Sequence, residues 1–152
     1  MLRIALSLVV AMALTQNGVR SEWQFFAPPL VLLVTLYWVL FAPPAYGLGF
    51  AFLVGLLLDL MRGAPAGQYA LAFCVTAYLA QLAEHRVRHF VLLHQALLAG
   101  LLTLMFQLIV VAVGLVLGGD SLRLAEFHSV WSAILLWPPL TLLLGKLHDH
   151  AW

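Results

Sequence analysis

Charged residues are scarce in this sequence. Asp, Glu, Lys and Arg together account for 9% of its 152 residues, whereas a soluble domain averages about 25%. Hydrophobic residues account for 64%, and the mean hydropathy is +1.05. This composition excludes an ordinary soluble domain and indicates an integral protein of the lipid bilayer. The formal net charge of +1 gives no electrostatic basis for binding nucleic acid.

The sequence also lacks the residue patterns that carry catalysis. It has no G-x-S-x-G motif, no Walker loop and no pair of intramembrane aspartates. Cys74 is the only cysteine, so an intramolecular disulfide is excluded and a packing role is expected. We therefore predict that the protein is not an enzyme and holds no cofactor.

Two histidine clusters have spacings that metal sites also use. His85 and His89 are four residues apart, a spacing that can bind zinc on one face of a helix. The flanking Arg86 and the absence of an HExxH motif argue against this use. We interpret this pair as part of a basic interface and His148 and His150 as part of a solvated tail. No metal site is predicted.

Six apolar segments follow one another along the chain. They cover residues 2–14, 29–41, 46–61, 68–83, 91–117 and 127–147. The pattern predicts one polytopic domain over residues 1–152, an all-α bundle of about six short transmembrane helices. Several segments are shorter than the ~20 residues that cross a bilayer. They are either extended into polar flanks or shielded by longer neighbours, and a re-entrant second or third segment stays open.

Two features of the sequence predict its orientation. Only Arg3 precedes the first apolar segment and no A-x-A site follows it, so we interpret this segment as a retained helix rather than a signal peptide. Arg86 and Arg88 lie together in the short segment 84–90, which the positive-inside rule places in the cytoplasm. With an even number of helices, both termini are expected in the cytoplasm.

A row of small residues leads to an acid in the third segment. Gly47, Ala51, Gly55 and Asp59 follow at intervals of four, which places them along one side of a helix. Small residues let another backbone approach closely, as in packing between membrane helices. We therefore expect this row to be a packing surface for a helix of this chain or of a partner.

Asp59 has two interpretations. A carboxylate in the last turn of a helix opposes the helix dipole, so helix stability does not explain it. It could form an interfacial ion pair with Arg62, three residues further on. Alternatively, it could fasten a partner helix or the connecting turn that ends at Gly67. The sequence leaves both open.

A polar seam runs along the fifth segment. Gly100, Thr103, Gln107, Val111 and Gly114 recur at spacings of three and four. The Gln107 amide would lie at mid-membrane, where hydrocarbon offers no hydrogen-bond partner. Bonding between helices is the favoured interpretation, and a ligand pocket is the alternative.

Aromatic residues cluster near the predicted helix ends. Most are expected to form belts at the two membrane interfaces. They are Trp23, Phe25, Phe26, Tyr37, Trp38, Tyr46, Trp131, Trp137 and Trp152.

Five short motifs in the central stretch follow a known order. They are YWVL at 37–40, G-x-G-x-x-x-x-x-G at 47–55, LLLD at 56–59, P-x-G at 65–67 and ALAFCVTAYLA at 70–80. In this order and spacing they resemble the MreD family of bacterial rod shape-determining membrane proteins. WPPL at 137–140 is similar to the tryptophan–proline pattern of the family's last helix. One departure is that Pro28-Pro29 stands where many members have Pro-Asp.

The resemblance implies a non-catalytic subunit of the cell-elongation (rod) complex in the bacterial inner membrane. Such proteins bind the single-span protein MreC and help connect MreB filaments to the peptidoglycan polymerase RodA and its transpeptidase partner. Self-association is left open. The residues expected to pack against a partner or a helix are Gly47, Ala51, Gly55, Asp59, Arg62, Gly67, Tyr37 and Trp38.

A second function class competes with the scaffold. Six short helices, a mid-membrane glutamine and an acid in a groove also resemble the vitamin-binding subunits of energy-coupling factor transporters. A small-molecule-binding subunit of a membrane transporter is therefore the alternative prediction.

Overall fold

The computed structural model describes residues 2–17, 30–41, 47–63, 66–87, 89, 91–117 and 128–149. All secondary structure in these ranges is helical, which confirms the predicted class of an α-helical membrane bundle. The helices in them are α1 (Leu2–Asn17), α2 (Leu30–Phe41), α3 (Leu48–Arg62), α4 (Gln68–Val87), α5 (Leu92–Val116) and α6 (His128–Asp149).

Helix α2 lies at the centre of the bundle. Every residue from Val31 to Leu40 is buried, and α2 packs against α1, α4, α5 and α6. Its 12 residues extend only about 18 Å, far less than the roughly 30 Å of hydrocarbon. The neighbouring helices shield this short helix from lipid, as expected for segments too short to span alone.

The remaining helices pack in chain order. Helix α3 lies on α4, α4 on α5, and α5 on α6. Two stretches, Leu92–Val116 and Ser129–Lys146, are long and apolar enough to cross a membrane, and Ala5–Leu14 and Leu30–Phe41 are shorter apolar helices. The outward side chains of the bundle are mainly leucine, which suits contact with hydrocarbon.

Some helices extend past their predicted ends. Helix α4 continues to Val87, so residues 84–87 are helical rather than part of a loop. Arg86 lies in its last turn, where a cation interacts favourably with the helix dipole. His89 follows the helix, with its backbone N–H bonded to the Arg86 carbonyl (3.3 Å). His85 and His89 therefore do not share one helix.

The expectation of an aromatic belt is wrong for three residues: Trp38, Trp137 and Tyr37, the last of which is 4% exposed. Trp38 is 4% exposed and Trp137 is 0% exposed, because they lie on helices that pack against several neighbours. The Trp38 indole N–H donates to Ser7 Oγ (3.1 Å), which joins α2 to α1. Trp131 is 76% exposed, as a belt residue would be. Several predicted belt residues lie outside the described ranges: Trp23, Phe25, Phe26, Tyr46 and Trp152.

Helices α3 and α4 approach each other closely at Gly55. A Cβ atom at this position would lie 2.5 Å from Ala70 Cα and 2.8 Å from the Tyr69 carbonyl oxygen. Backbone cannot yield as a flexible side chain can, so only glycine permits this packing. Gly49 lies on the same helix, and a Cβ there would meet nothing within 4 Å.

The first prediction compares these two glycines. Gly55→Ala should separate α3 from α4 and lower the free energy of unfolding by about 1–3 kcal/mol, the usual effect of overpacking. Gly49→Ala should be neutral or stabilising, since alanine favours helix more than glycine does. Thermal unfolding of the purified protein in detergent measures both. Equal melting temperatures for the two variants would contradict the packing described here.

Candidate functional site

The Asp59 carboxylate holds the start of α4. Oδ1 accepts the backbone N–H of Tyr69 (2.8 Å). Oδ2 accepts those of Gly67 (2.9 Å) and Ala70 (3.3 Å). Asp59 is 2% exposed, so its carboxylate is buried. The bond from Ala70 is buried with it, and the bonds from Gly67 and Tyr69 are partly buried. The side chain thus caps a helix that begins at Gln68, further along the chain.

This contact explains an acid at the end of α3. A carboxylate opposes the dipole of its own helix there, but the first N–H groups of α4 have no partner within α4 and carry partial positive charge. Hydrogen bonds to an ionised acceptor are roughly twice as strong as neutral ones. The Asp59 carboxylate therefore stabilises α4 and the turn before it, and not α3, the helix that carries it.

Two glycines shape the turn between α3 and α4. Gly63 ends α3 with φ 61°, and its N–H donates to the Asp59 carbonyl. Gly67 has φ 103° and donates its N–H to the Asp59 side chain. Residues other than glycine rarely adopt positive φ. The hydrogen bonds to the Asp59 carbonyl and to the Asp59 carboxylate therefore both come from positions that require glycine. Pro65, part of the predicted turn motif, lies outside the described residues.

Arg62 does not pair with Asp59 in the described structure. Its Nη1 donates to the Tyr69 hydroxyl (2.9 Å), and its guanidinium lies 5.1 Å from the centre of the Tyr69 ring. A cation over an aromatic face is attracted by the ring quadrupole. Of the two interpretations of Asp59, the geometry matches the one in which it fastens the connecting turn, and Arg62 holds the same turn separately.

The row of small residues faces into the bundle. Ala51 is 0% exposed, Asp59 is 2% exposed, and Gly55 meets the backbone of α4. Gly47 precedes α3 and is half-buried, and its carbonyl accepts the N–H of Phe50 and Ala51. The close approach at Gly55 is thus made within this chain. Contact of this row with another protein stays a prediction, as it does for Tyr37 and Trp38, which are buried in α2.

The polar seam of α5 joins it to α6. The Gln107 amide donates to the Ser129 hydroxyl, as expected of a bond between helices. Thr103 is fully buried, but its hydroxyl donates to the Ala99 carbonyl of its own helix (2.8 Å). The Ile134 side chain packs against Gly100, and its Cγ1 would lie 2.4 Å from a Cβ atom added at Gly100. Packing and one amide therefore hold these two helices together.

Gln68 was not predicted as a site residue. It lies at the start of α4, is 8% exposed, and its Nε2 donates to the Val110 carbonyl of α5 (2.9 Å). The available signal was an amide at the first position of an apolar segment, directly after the predicted turn. Its partner is a backbone carbonyl 42 residues away, which no local pattern identifies.

These contacts form one set, which we call the polar clamp. It comprises Asp59, Gln68, Gln107 and Ser129, and it links α3 to α4, α4 to α5, and α5 to α6. Asp59 is bonded to backbone, which suits fastening more than catalysis. Among the described residues, no three His, Cys, Asp or Glu side chains lie together as metal ligands would.

Comparison with known proteins identifies a family. The family described as rod shape-determining protein MreD matches residues 1–147. The rod shape-determining protein MreD of Haemophilus influenzae is 34% identical over 146 residues, covering 91% of this chain and 86% of that protein. No solved structure matches this chain.

The second prediction separates Asp59 from Arg62. Asp59→Asn loses the charge and one acceptor oxygen, leaving buried N–H groups of α4 poorly bonded, so the free energy of unfolding should fall by about 1–3 kcal/mol. Arg62→Gln removes an exposed cation and should cost no more than about 1 kcal/mol. Thermal unfolding in detergent measures each variant. The double variant should be as unstable as the sum of the two, and rescue of Asp59→Asn by Arg62→Gln would show that the charges act as a pair.

Proposed function

The chain belongs to the MreD family of rod shape-determining proteins, and on this premise we propose that it is a non-catalytic scaffold of the machinery that elongates rod-shaped bacterial cells. It is a membrane protein of cell shape determination. The finer proposal is that it sits in the bacterial inner membrane and crosses it several times. There it would hold other proteins of the complex together rather than carry out chemistry.

The observation that carries the proposal is how the chain uses its buried polar groups. Asp59, Gln68 and Gln107 each hydrogen-bond to another segment of the bundle. A carrier needs polar groups that converge on a ligand, whereas a scaffold needs helices held in a constant arrangement. Asp59 and Gln107 also motivated the alternative of a vitamin-binding subunit. Their bonds within the chain, together with the family membership, favour the scaffold.

The proposed partners are other proteins of the elongation complex. The first is the single-span protein MreC, and through the complex the scaffold would connect MreB filaments to RodA and its transpeptidase partner. An apolar outer surface supports contact with transmembrane helices, and it includes Leu53, Leu60 and Leu135, which are 64%, 75% and 77% exposed. These side chains can pack against lipid or against a partner helix with equal ease, so association depends on shape and hydrogen bonds.

The third prediction tests the function in cells. Depletion of the protein from a rod-shaped host should give round cells, and the native chain should restore rods and co-purify with MreC. Gly49→Ala should restore rods fully, whereas Gly55→Ala and Asp59→Asn should restore them poorly at equal protein level, because they loosen the α3–α4 pair. Microscopy and immunoblotting measure shape and level. Normal rods after depletion would refute the proposal.

The fourth prediction concerns orientation. We propose that both termini are cytoplasmic, because Arg86 and Arg88 favour a cytoplasmic location for the end of α4 and the segment that follows it. A reporter that is active only in the cytoplasm should work when it is fused after Trp152. A reporter that is active only in the periplasm should fail there and should work after Arg123. The reverse pattern would overturn the orientation and leave the family membership untouched.

A further inference from the structure

One hydroxyl lies on the outer surface of α4 among apolar side chains. Tyr78 is 51% exposed, between Val75 (42%) and Leu82 (65%) on the same face. It lies near the middle of α4, and its hydroxyl makes no hydrogen bond to any of the described residues. Hydrocarbon cannot accept a hydrogen bond, so a hydroxyl at this depth is unfavourable unless another molecule supplies an acceptor.

The backbone carbonyl of one exposed residue of α6, Leu135, lacks its usual donor. In a helix the carbonyl of Leu135 accepts the N–H of residue 139, and here residue 139 is proline, which has none. Leu135 is 77% exposed, and Pro139 is also exposed. Nearby hydroxyls are used elsewhere, since Ser132 donates to the Ser129 carbonyl and Thr141 to the Pro138 carbonyl. The outer face of α6 therefore presents an acceptor.

Two contacts on α5 show where α4 and α6 begin along the axis of α5, which we call their level. Gln68, at the start of α4, bonds at Val110, and Ser129, near the start of α6, bonds at Gln107. These two positions on α5 are three residues, or about 4.5 Å, apart along the helix axis. Helices α4 and α6 thus start near the same level and both run opposite to α5.

The donor and the acceptor consequently lie at similar depth. Tyr78 is ten residues past the start of α4, about 15 Å below the Val110 level. Leu135 is six residues past Ser129, about 9 Å below the Gln107 level, and so about 13.5 Å below the Val110 level. The difference is smaller than the length of a tyrosine side chain. Helix α5 packs against both α4 and α6, and the Tyr78 hydroxyl makes no hydrogen bond to the described residues, so the two groups do not pair within one chain.

We propose that two copies of this chain associate in the membrane, with the Tyr78 hydroxyl of one copy donating to the Leu135 carbonyl of the other. Copies inserted in the same orientation bring the two groups to the same depth, and each copy supplies what the other lacks. Lipid chains supply neither a donor nor an acceptor. The contact joins α4 of one copy to α6 of the other, and it does not depend on the partners proposed above.

The test links two differently tagged full-length chains in liposomes. Cys74→Ser removes the native thiol from both. One chain carries Val75→Cys, one turn from Tyr78, and the other carries Leu135→Cys. A short bis-maleimide should join them, and Leu142→Cys, on the same face of α6 and about 10.5 Å deeper, should react far less with the same partner. Equal yields at both depths, or no link between the tagged chains, would overturn the proposal.

Two further variants test the hydrogen bond itself. Tyr78→Phe removes only the hydroxyl, and Pro139→Ala returns an N–H to the Leu135 carbonyl. Each should lower the linked fraction about three- to tenfold, the range for one interhelical bond in a bilayer. Pro138→Ala leaves the Leu135 carbonyl free and should keep the yield. An unchanged yield in both variants would overturn the proposal, as would linkage in cells that joins position 135 only to MreC.

Discussion

The bundle depends on one buried carboxylate that caps a helix other than its own. Asp59 ends α3, yet its oxygens accept the N–H groups of Gly67, Tyr69 and Ala70 at the start of α4. Charge on the carboxylate and partial positive charge on the helix terminus attract each other strongly where water is excluded. Without this acceptor, three N–H groups at buried or partly buried positions would lose their hydrogen-bond partner. The capping contact sets where α4 begins, and the rest of the bundle follows from that position.

The consequence extends across the bundle because each polar contact is one turn or less from the next. Once α4 begins at Gln68, that amide reaches the Val110 carbonyl and sets the level of α5. Gln107, one turn away on α5, then bonds Ser129 at the start of α6. In hydrocarbon an unpaired polar group cannot hydrogen-bond to water, so these bonds favour one register of the helices over shifted registers that would break them. A constant register is what the proposed scaffold role requires.

The centre and the surface of the bundle obey different constraints. Helix α2 is too short to cross hydrocarbon, and it is buried on all sides, so its tyrosine and tryptophan belong to the interior. Between the charged ends at His85, Arg86 and Lys146, the described exposed residues of α4 and α6 are mainly apolar. Tyr78 and the Leu135 carbonyl are polar exceptions among them. A membrane protein gains no hydrophobic energy by covering leucine with leucine, which makes such polar exceptions the selective features of its surface. They set the depth at which another helix fits.

Composition and local patterns were enough for the fold class, for the six helices in the described part of the chain and for the family. The mean hydropathy of +1.05 and the paired prolines indicate a helical membrane protein, and the order of short motifs resembles MreD. All three signals depend on composition or on residues that are close in sequence. The small-residue row and the acid at Asp59 were recognisable for the same reason.

The residues that contact one another across the bundle were not recognisable from the sequence. Three features depend on which helices lie side by side. They are the bonds between helices, Gln68 to Val110 and Gln107 to Ser129, the burial of Trp38 and Trp137, and the packing of Arg62 on the Tyr69 ring. Only the tertiary structure decides this, since in a chain that is 64% hydrophobic almost any helix face can pack against any other.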